Sequence, residues 1–141
     1  RLTRLRAVAR EESINGPPLM ENAAFEARLA LAEINVEAIQ ITEHRVANAL
    51  SAGQNPGPLS SMLKTQGTEM LQRIEELSLD VAGHYAPAGR AHGVPGANEP
   101  SIGAPHSQDA AARYFNSRAA SIYGGSNEIQ RNIMARMVLG L

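Results

Sequence analysis

The longest periodic stretch of the chain runs from about Met20 to Ala52, and it restricts the possible folds more than any other feature. Apolar side chains recur there at alternating steps of four and three residues, the spacing of one face of a bundle helix. The positions are Phe25, Leu29, Ala32, Val36, Ile39, Val46 and Leu50. A helix of this length is stable mainly through packing of its apolar face, so we expect other helices beside it.

A second stripe on the same helix consists of Ile34, Ala38 and Ile41, and it predicts a second packing neighbour. Glu43 interrupts the main stripe. Either Glu43 pairs with a cation or the packing frays at that position, and we favour fraying because an apolar neighbour would leave a carboxylate without a partner.

The remaining segments also have helical spacing, and no stretch alternates as a strand would. The sequence therefore predicts one all-α domain over residues 1–141, an antiparallel up-and-down bundle of about four helices with one long loop. We expect helices in the opening segment up to the turn at Asn15-Gly16-Pro17-Pro18, from about Met20 to Ala52, from Ser60 or Ser61 to a cap at Gly83, from Ser107 to Ser121, and after Ser126 or Asn127.

Two of these helices carry specific packing predictions. The third repeats apolar residues at Leu63, Met70, Ile74, Leu77 and Val81 with Gly67 at the missing position, which predicts a close helix crossing at Gly67. In the fourth, we expect burial of Ala111, Phe115, the stem of Arg118, and Ile122 in the following turn.

The segment from His84 to His106 is rich in glycine and proline and has no periodicity, which predicts the long loop. His84, His92 and His106 could suggest a metal site. No pair of them has the short spacing of a zinc motif, and no histidine follows a glutamate by three residues, so we expect no metal.

Composition excludes several classes of function. A formal net charge of −1 argues against a nucleic-acid or membrane partner held by bulk electrostatics. The absence of cysteine excludes a disulfide framework and a thiol nucleophile, and it suits a cytoplasmic protein.

The opening helix is basic because it contains Arg1, Arg4, Arg6 and Arg10. This face either binds an anion or is solvated, and the neighbouring Glu11 and Glu12 favour a solvated face. Since the chain opens within a helical pattern, we expect it to be a piece of a longer protein.

The turn at Gly124 and Gly125 precedes the last helix and is the main candidate for a ligand site. Glycine permits positive φ and close approach of a ligand to the backbone. The helix is capped either by Asn127, with Gln130 reaching back, or by Ser126, and its free amides could bind a phosphate. Alternatively, the turn merely connects two helices.

Further along the last helix, Ile129, Ile133 and Met137 form an apolar face with Arg136 at its edge. Arg136 could bind an anionic ligand, or its stem could lie on apolar surface with the guanidinium in water.

Several motifs together resemble the C-terminal signature of flavin-dependent acyl-CoA dehydrogenases. The resemblance is carried by Ile-Tyr-Gly-Gly-Ser-Asn-Glu-Ile-Gln-Arg-Asn-Ile from Ile122 to Ile133, by Val-Leu-Gly-Leu at the end, by Asn116-Ser117-Arg118, and by Gly57-Pro-Leu-Ser-Ser-Met-Leu-Lys64. Members of this family oxidise an acyl-CoA between its α and β carbons: a carboxylate removes the α proton, and FAD accepts the β hydride.

The resemblance also implies roles for individual residues. Ser126, Asn127 and Glu128 correspond to the FAD-contacting region of the family, usually toward a flavin held mainly by another subunit. Tyr123, Gly124, Gly125 and Arg136 correspond to the acyl-CoA side. Gly124 stands where many members carry the catalytic glutamate, so the resemblance implies no catalytic residue in this chain. Other members place the base on the first helix of the domain, most of which would precede Arg1.

The family further implies an oligomer, a dimer or tetramer of like or unlike chains, with electron-transfer flavoprotein as the redox partner. Two family motifs are missing: Arg-x-x-Phe-Gly after the first helix, and Gln-x-x-Gly-Gly near Leu79 to His84. Both normally help to hold flavin. The alternative interpretation is therefore a non-catalytic helical subunit that completes a heteromeric dehydrogenase.

Overall fold

A computed structural model describes residues 1–12, 16–87 and 103–141, and these residues form five α-helices without any strand. This confirms the all-α prediction, with five helices rather than about four. The helices are α1 (Leu2–Glu11), α2 (Ala23–Ser51), α3 (Leu59–Ala82), α4 (Ala110–Ser117) and α5 (Asn127–Leu139), with short 3-10 turns at Leu19–Glu21, Gly83–Tyr85 and Arg118–Ser121. Most of the predicted loop, residues 88–102, lies outside the described residues, as do residues 13–15.

Helix α3 is the centre of the bundle, because each of the other four helices packs against it. Its polar contacts fix the chain directions. Arg113 of α4 meets Glu75, whereas Ser117, one turn later, meets Gln72, so α4 runs antiparallel to α3. The Arg28 to Asp80 ion pair, 2.7 Å, joins the start of α2 to the end of α3, and α2 is therefore also antiparallel.

Helix α5 runs parallel to α3 and begins beside its first turns. Asn127 meets Lys64, and Arg131, one turn later, pairs with Glu69. The C-terminal half of α3 instead faces α1 and the first half of α2. The two ends of α3 therefore support different parts of the molecule.

The main apolar core lies between α1, the first half of α2 and the end of α3. It consists of Leu5, Ala9, Phe25, Leu29, Ala32, Leu77 and Val81. Helix α2 begins at Ala23 because the Asn22 side chain accepts hydrogen bonds from the amides of Ala24 and Phe25. The first half of the predicted α2 seam is thus confirmed.

The second half of α2 follows the prediction only in part. Val46 is buried as predicted, but Leu50, expected in the seam, is 58% exposed, and the predicted second stripe is open to solvent, with Ile34 63% and Ile41 57% exposed. The reason is length: α1 has ten residues against 29 in α2, so it covers only part of the longer helix. Glu43 is exposed and makes no ion pair with a described residue.

The predicted close crossing at Gly67 is wrong. A Cβ placed on Gly67 would meet nothing within 4 Å, so the helices on either side leave space there. The predicted C-terminal glycine of α3 is observed: Gly83 has φ +52° and ψ −132°, a positive φ but not the left-handed helical conformation.

The predicted burial of Phe115 and Ile122 is also wrong, since they are 70% and 71% exposed. Helix α4 turns its small residues Ala110 and Ser117 toward α3 instead, which lets the two backbones approach closely. Arg118 is half-buried, with its guanidinium 4.2 Å from the Tyr114 ring centroid. Among the described helices, none is both long and apolar enough to cross a lipid bilayer.

Candidate functional site

The turn before α5 depends on its two glycines. Gly124 and Gly125 have φ values of +67° and +86°, which side-chain-bearing residues rarely adopt. A Cβ on Gly125 would also lie 2.7 Å from the side-chain nitrogen of Gln130, whereas a Cβ on Gly124 would meet nothing within 4 Å. Both residues are exposed, so their backbone is accessible to a ligand or to another chain.

Ser126 caps α5. Its backbone is extended, with ψ 156°, and its Oγ accepts a hydrogen bond from the Ile129 amide at 3.4 Å. Asn127, the alternative cap, is instead the first residue of the helix.

The Asn127 side chain turns toward α3 and is buried, with 4% exposure. Its Oδ1 accepts hydrogen bonds from the Lys64 ammonium at 2.8 Å and from the Thr68 hydroxyl at 3.1 Å, whose one proton is shared with the Thr65 carbonyl at 3.0 Å. A charged donor forms a stronger bond than a helix amide does, which explains why Asn127 does not cap the helix. This contact fixes the start of α5 against α3.

The electrostatics at this end of α5 favour negative charge. The pKa of Glu128 is lowered, first by a hydrogen bond from its own backbone amide and then by one from the Ser126 hydroxyl. The charges of Arg131 and Lys64 lower the pKa further. The carboxylate of Glu128 therefore lies at the helix N-terminus, in the position where a phosphate was expected to bind.

The residues predicted for the site fall into two groups. Tyr123, Gly124, Gly125, Ser126, Asn127 and Glu128 share one turn, and Tyr123 is 62% exposed there. Arg136 is exposed in the last turn of α5, about 15 Å along the helix from Ser126. On the apolar face beside it, Ile129 and Met137 are 53% and 55% exposed.

Lys64 is the site residue that sequence reasoning did not single out. Lys64 is the last residue of the Gly57 to Lys64 motif. The sequence does not indicate that it contacts Asn127, which lies 63 residues later in the chain. The Lys64 ammonium has three N–H donors and uses one of them on Asn127, so donors suited to the phosphate or ribose part of a nucleotide remain there. The Ser126 hydroxyl is engaged by Glu128 and by the Ile129 amide.

No group of three or more histidine, aspartate or glutamate side chains in the described ranges could hold a metal ion. Of the three histidines considered above, His106 has its Nε2 3.6 Å from Glu12 Oε1, and His92 lies outside the described residues.

The helical bundle and the two-glycine turn before α5 agree with the C-terminal domain of flavin-dependent dehydrogenases that the sequence resembles. The family profile described as "Acyl-CoA dehydrogenase, C-terminal domain" matches residues 2–139. The chain belongs to this family.

Two curated relatives match a short part of the chain. Both are named acyl-CoA dehydrogenase IpdE1, one from Mycolicibacterium smegmatis (75% identical over 28 residues) and one from Mycobacterium tuberculosis (71% identical over 28 residues). Each match covers 20% of this chain and 7% of the relative.

Solved structures match nearly the whole chain. The ChsE4–ChsE5 complex from Mycobacterium tuberculosis has a TM-score of 0.77 at 23% identity, covering 99% of this chain and 34% of that one. The FAD complex of PigA has a TM-score of 0.77 at 18% identity, covering 99% and 32%. At these identities the similarity establishes the fold. The chain spans about a third of the length of these solved chains.

Proposed function

We propose that this chain is the C-terminal domain of a cytoplasmic flavoprotein that dehydrogenates an acyl-CoA thioester between Cα and Cβ. The observation that carries the proposal is the accessible turn at Gly124 and Gly125, followed by the Ser126 cap and the Lys64 to Asn127 contact. A turn that only connects two helices would not need an exposed two-glycine backbone beside a helix start that is fixed against α3, whereas a ligand-binding turn would. The similarity to PigA, whose solved structure is described as an FAD complex, supports the cofactor assignment.

On this proposal, the start of α5 forms one edge of the FAD site. The Ser126 hydroxyl exchanges its bond with Glu128 for one to the adenosine and pyrophosphate side, and Asn127 positions this end of the helix through Lys64. Glu128 is suited to a ribose hydroxyl, because a carboxylate accepts that bond and repels a phosphate. When bound, FAD supplies the acceptor for the hydride that leaves the β carbon.

The acyl-CoA side is formed by Tyr123, Gly124 and Gly125, whose exposed backbone can approach the thioester. Arg136 provides a cation for an anionic part of the substrate. Glycine cannot remove a proton, so the proton at the α carbon must go to a carboxylate outside this turn.

Exposed apolar residues on α4, on α5 and in the turn between them support the assembly part of the proposal. Phe115, Ile122, Ile129 and Met137 are each more than half exposed, which is costly for a chain that functions alone. We assign these surfaces to contacts with other domains or subunits in a dimer or tetramer of like or unlike chains. The family resemblance implies electron-transfer flavoprotein as the redox partner that reoxidises the flavin.

The second candidate function is a non-catalytic helical subunit of a heteromeric dehydrogenase. It is favoured by glycine at position 124 and by the two missing flavin motifs. Flavin content distinguishes the two functions: the full-length protein should contain FAD if the first is correct, and a protein purified without its partner should lack FAD if the second is correct.

The decisive experiment compares Ser126→Ala with Arg136→Ala in the full-length protein. Loss of the Ser126 hydroxyl should weaken FAD binding about fivefold, from the roughly 1 kcal/mol contribution of one hydrogen bond. Loss of Arg136 should leave flavin content unchanged and reduce kcat/KM for an accepted acyl-CoA. Absorbance measures the first effect and steady-state kinetics the second.

Matched controls are Ser60→Ala and Arg45→Ala, which change an exposed serine and an exposed arginine on other helices. Neither should alter flavin content or turnover. If Arg136→Ala loses flavin while Ser126→Ala retains it, the assignment of the two ends of α5 is wrong.

A further inference from the structure

A cavity of about 250 Å³ lies between α1, the second half of α3 and the start of α4. Its apolar wall is formed by Leu5, Val8, Ile74 and Val81. Its polar wall includes three arginines, Arg1, Arg4 and Arg113, and the carboxylate of Glu75. The cavity is therefore amphipathic, with a hydrocarbon side and a cationic side.

Glu75 is the buried charge of this cavity, with 3% of its side chain exposed. Arg1 Nη1 lies 2.8 Å from Oε1, and Arg113 Nε lies 3.3 Å from Oε2. A buried carboxylate needs compensation, and here two guanidinium groups provide it. Each guanidinium carries five N–H donors and uses one of them in these contacts, so donors remain on the solvent-facing sides of Arg1 and Arg113.

The charges on the described part of the cavity wall do not cancel. Three arginines, Arg1, Arg4 and Arg113, stand against two carboxylates, Glu75 and Asp109, which leaves an excess of one positive charge among these residues. Arg4 is exposed and makes no ion pair with any residue in the described ranges. It lies one turn from Arg1 and next to Leu5, so its charge is at the boundary between the two walls.

We propose that this cavity is a binding site for a small monoanion with an apolar body, of the class of medium-chain aliphatic carboxylates. The carboxylate binds Arg4 and the outer donors of Arg1 and Arg113, and the hydrocarbon lies against the apolar wall. One negative charge neutralises the excess. The volume is just below the range of about 300–1,000 Å³ for drug-sized ligands, which excludes long-chain carboxylates.

This site does not depend on the flavin assignment, because it is formed by the other end of α3. The test measures binding of hexanoate to the full-length protein by calorimetry, with hexan-1-ol and acetate as comparison ligands. Hexanoate should bind saturably and at least about tenfold more tightly than either, because only hexanoate satisfies both walls.

The variant Arg4→Gln should weaken hexanoate binding about tenfold or more, while Arg10→Gln, an exposed arginine of the same helix outside the cavity, should leave it unchanged. A second measurement needs no variant: hexanoate should protect Arg4, and not Arg10, from modification by phenylglyoxal, as mapped by mass spectrometry.

Absence of saturable hexanoate binding, equal affinity for hexan-1-ol, or equal protection of the two arginines would overturn the proposal. Flavin content is recorded on the same samples. If flavin-free protein binds hexanoate, the result supports this site and counts against the flavin function. If the protein contains flavin and does not bind hexanoate, the result supports the flavin function and counts against this site.

Discussion

Replacing Asn127 by alanine should weaken the packing of α5 against the bundle, so that α5 detaches more readily than any other helix. Asn127 is the one buried residue of α5, and its Oδ1 accepts hydrogen bonds from both Lys64 and Thr68. A hydrogen bond from a charged donor contributes about 1.5–3 kcal/mol, and one from a hydroxyl contributes about 1 kcal/mol. Lys64 and Thr68 are half-buried and regain some hydration in the variant, so we expect a net loss of about 2 kcal/mol.

The assay is amide hydrogen exchange of α5, measured by mass spectrometry under native conditions. A loss of about 2 kcal/mol corresponds to about thirtyfold faster exchange in α5, with little change in the core segment of α3. Asn132→Ala is the matched control, since Asn132 is exposed on the same helix. A double-mutant cycle with Lys64→Met should give a coupling of at least about 1 kcal/mol.

The reasoning would be refuted if Asn127→Ala and Asn132→Ala exchanged at the same rate in α5. It would also fail if the double-mutant cycle gave no coupling, because the Lys64 contact would then contribute nothing to docking. The Arg131 to Glu69 ion pair would not hold α5 in place without Asn127, since both side chains are about half exposed and such pairs contribute little free energy.

Three further predictions concern other parts of the molecule. Gly67→Ala should raise the free energy of unfolding by up to about 1 kcal/mol in urea denaturation, because the site has space and alanine favours a helix. A lower free energy of unfolding would instead indicate a close helix crossing at this position. The pKa of Glu33 is lowered by its hydrogen bond with Arg6. Glu33 therefore contributes stability above pH 4.5, and this stability is lost as the pH falls through the folded-state pKa of Glu33. Glu33→Gln should therefore flatten the acid side of the stability curve, and an unchanged slope would contradict this. The isolated 141-residue chain should not bind FAD, since it provides only one edge of the site; a stoichiometric yellow complex would count against the proposal.

Local patterns in the sequence were sufficient to predict the class of fold and most helix positions. The spacing of Phe25, Leu29 and Ala32 correctly predicts a buried face, because the residues that cover it come from helices that extend over that part of α2. The same spacing fails at Leu50, where the periodicity continues but α1 does not reach. Periodicity reports which side chains share a face, and it contains no information about where the neighbouring helix ends.

The candidate site was predictable only in part for a similar reason. The glycines of the turn and the Ser126 cap follow from local backbone chemistry, and both could be proposed from the sequence. The role of Asn127 could not, since its partners Lys64 and Thr68 come from a helix distant in the chain. The predictions at Gly67 and Phe115 fail for the same reason. A small residue predicts a helix crossing and a large one predicts burial only if its face meets a neighbouring helix, and the sequence does not show which faces meet.

The position of α3 at the centre of the bundle determines when the domain can fold during synthesis. Helices α1 and α2 leave the ribosome before α3, and the residues that complete their core, Leu77 and Val81, are translated only near the end of α3. The nascent chain therefore carries an exposed apolar face from the translation of α2 until the end of α3, a stage at which aggregation competes with folding. Chaperone binding should be strongest in that interval and should fall once Val81 has emerged.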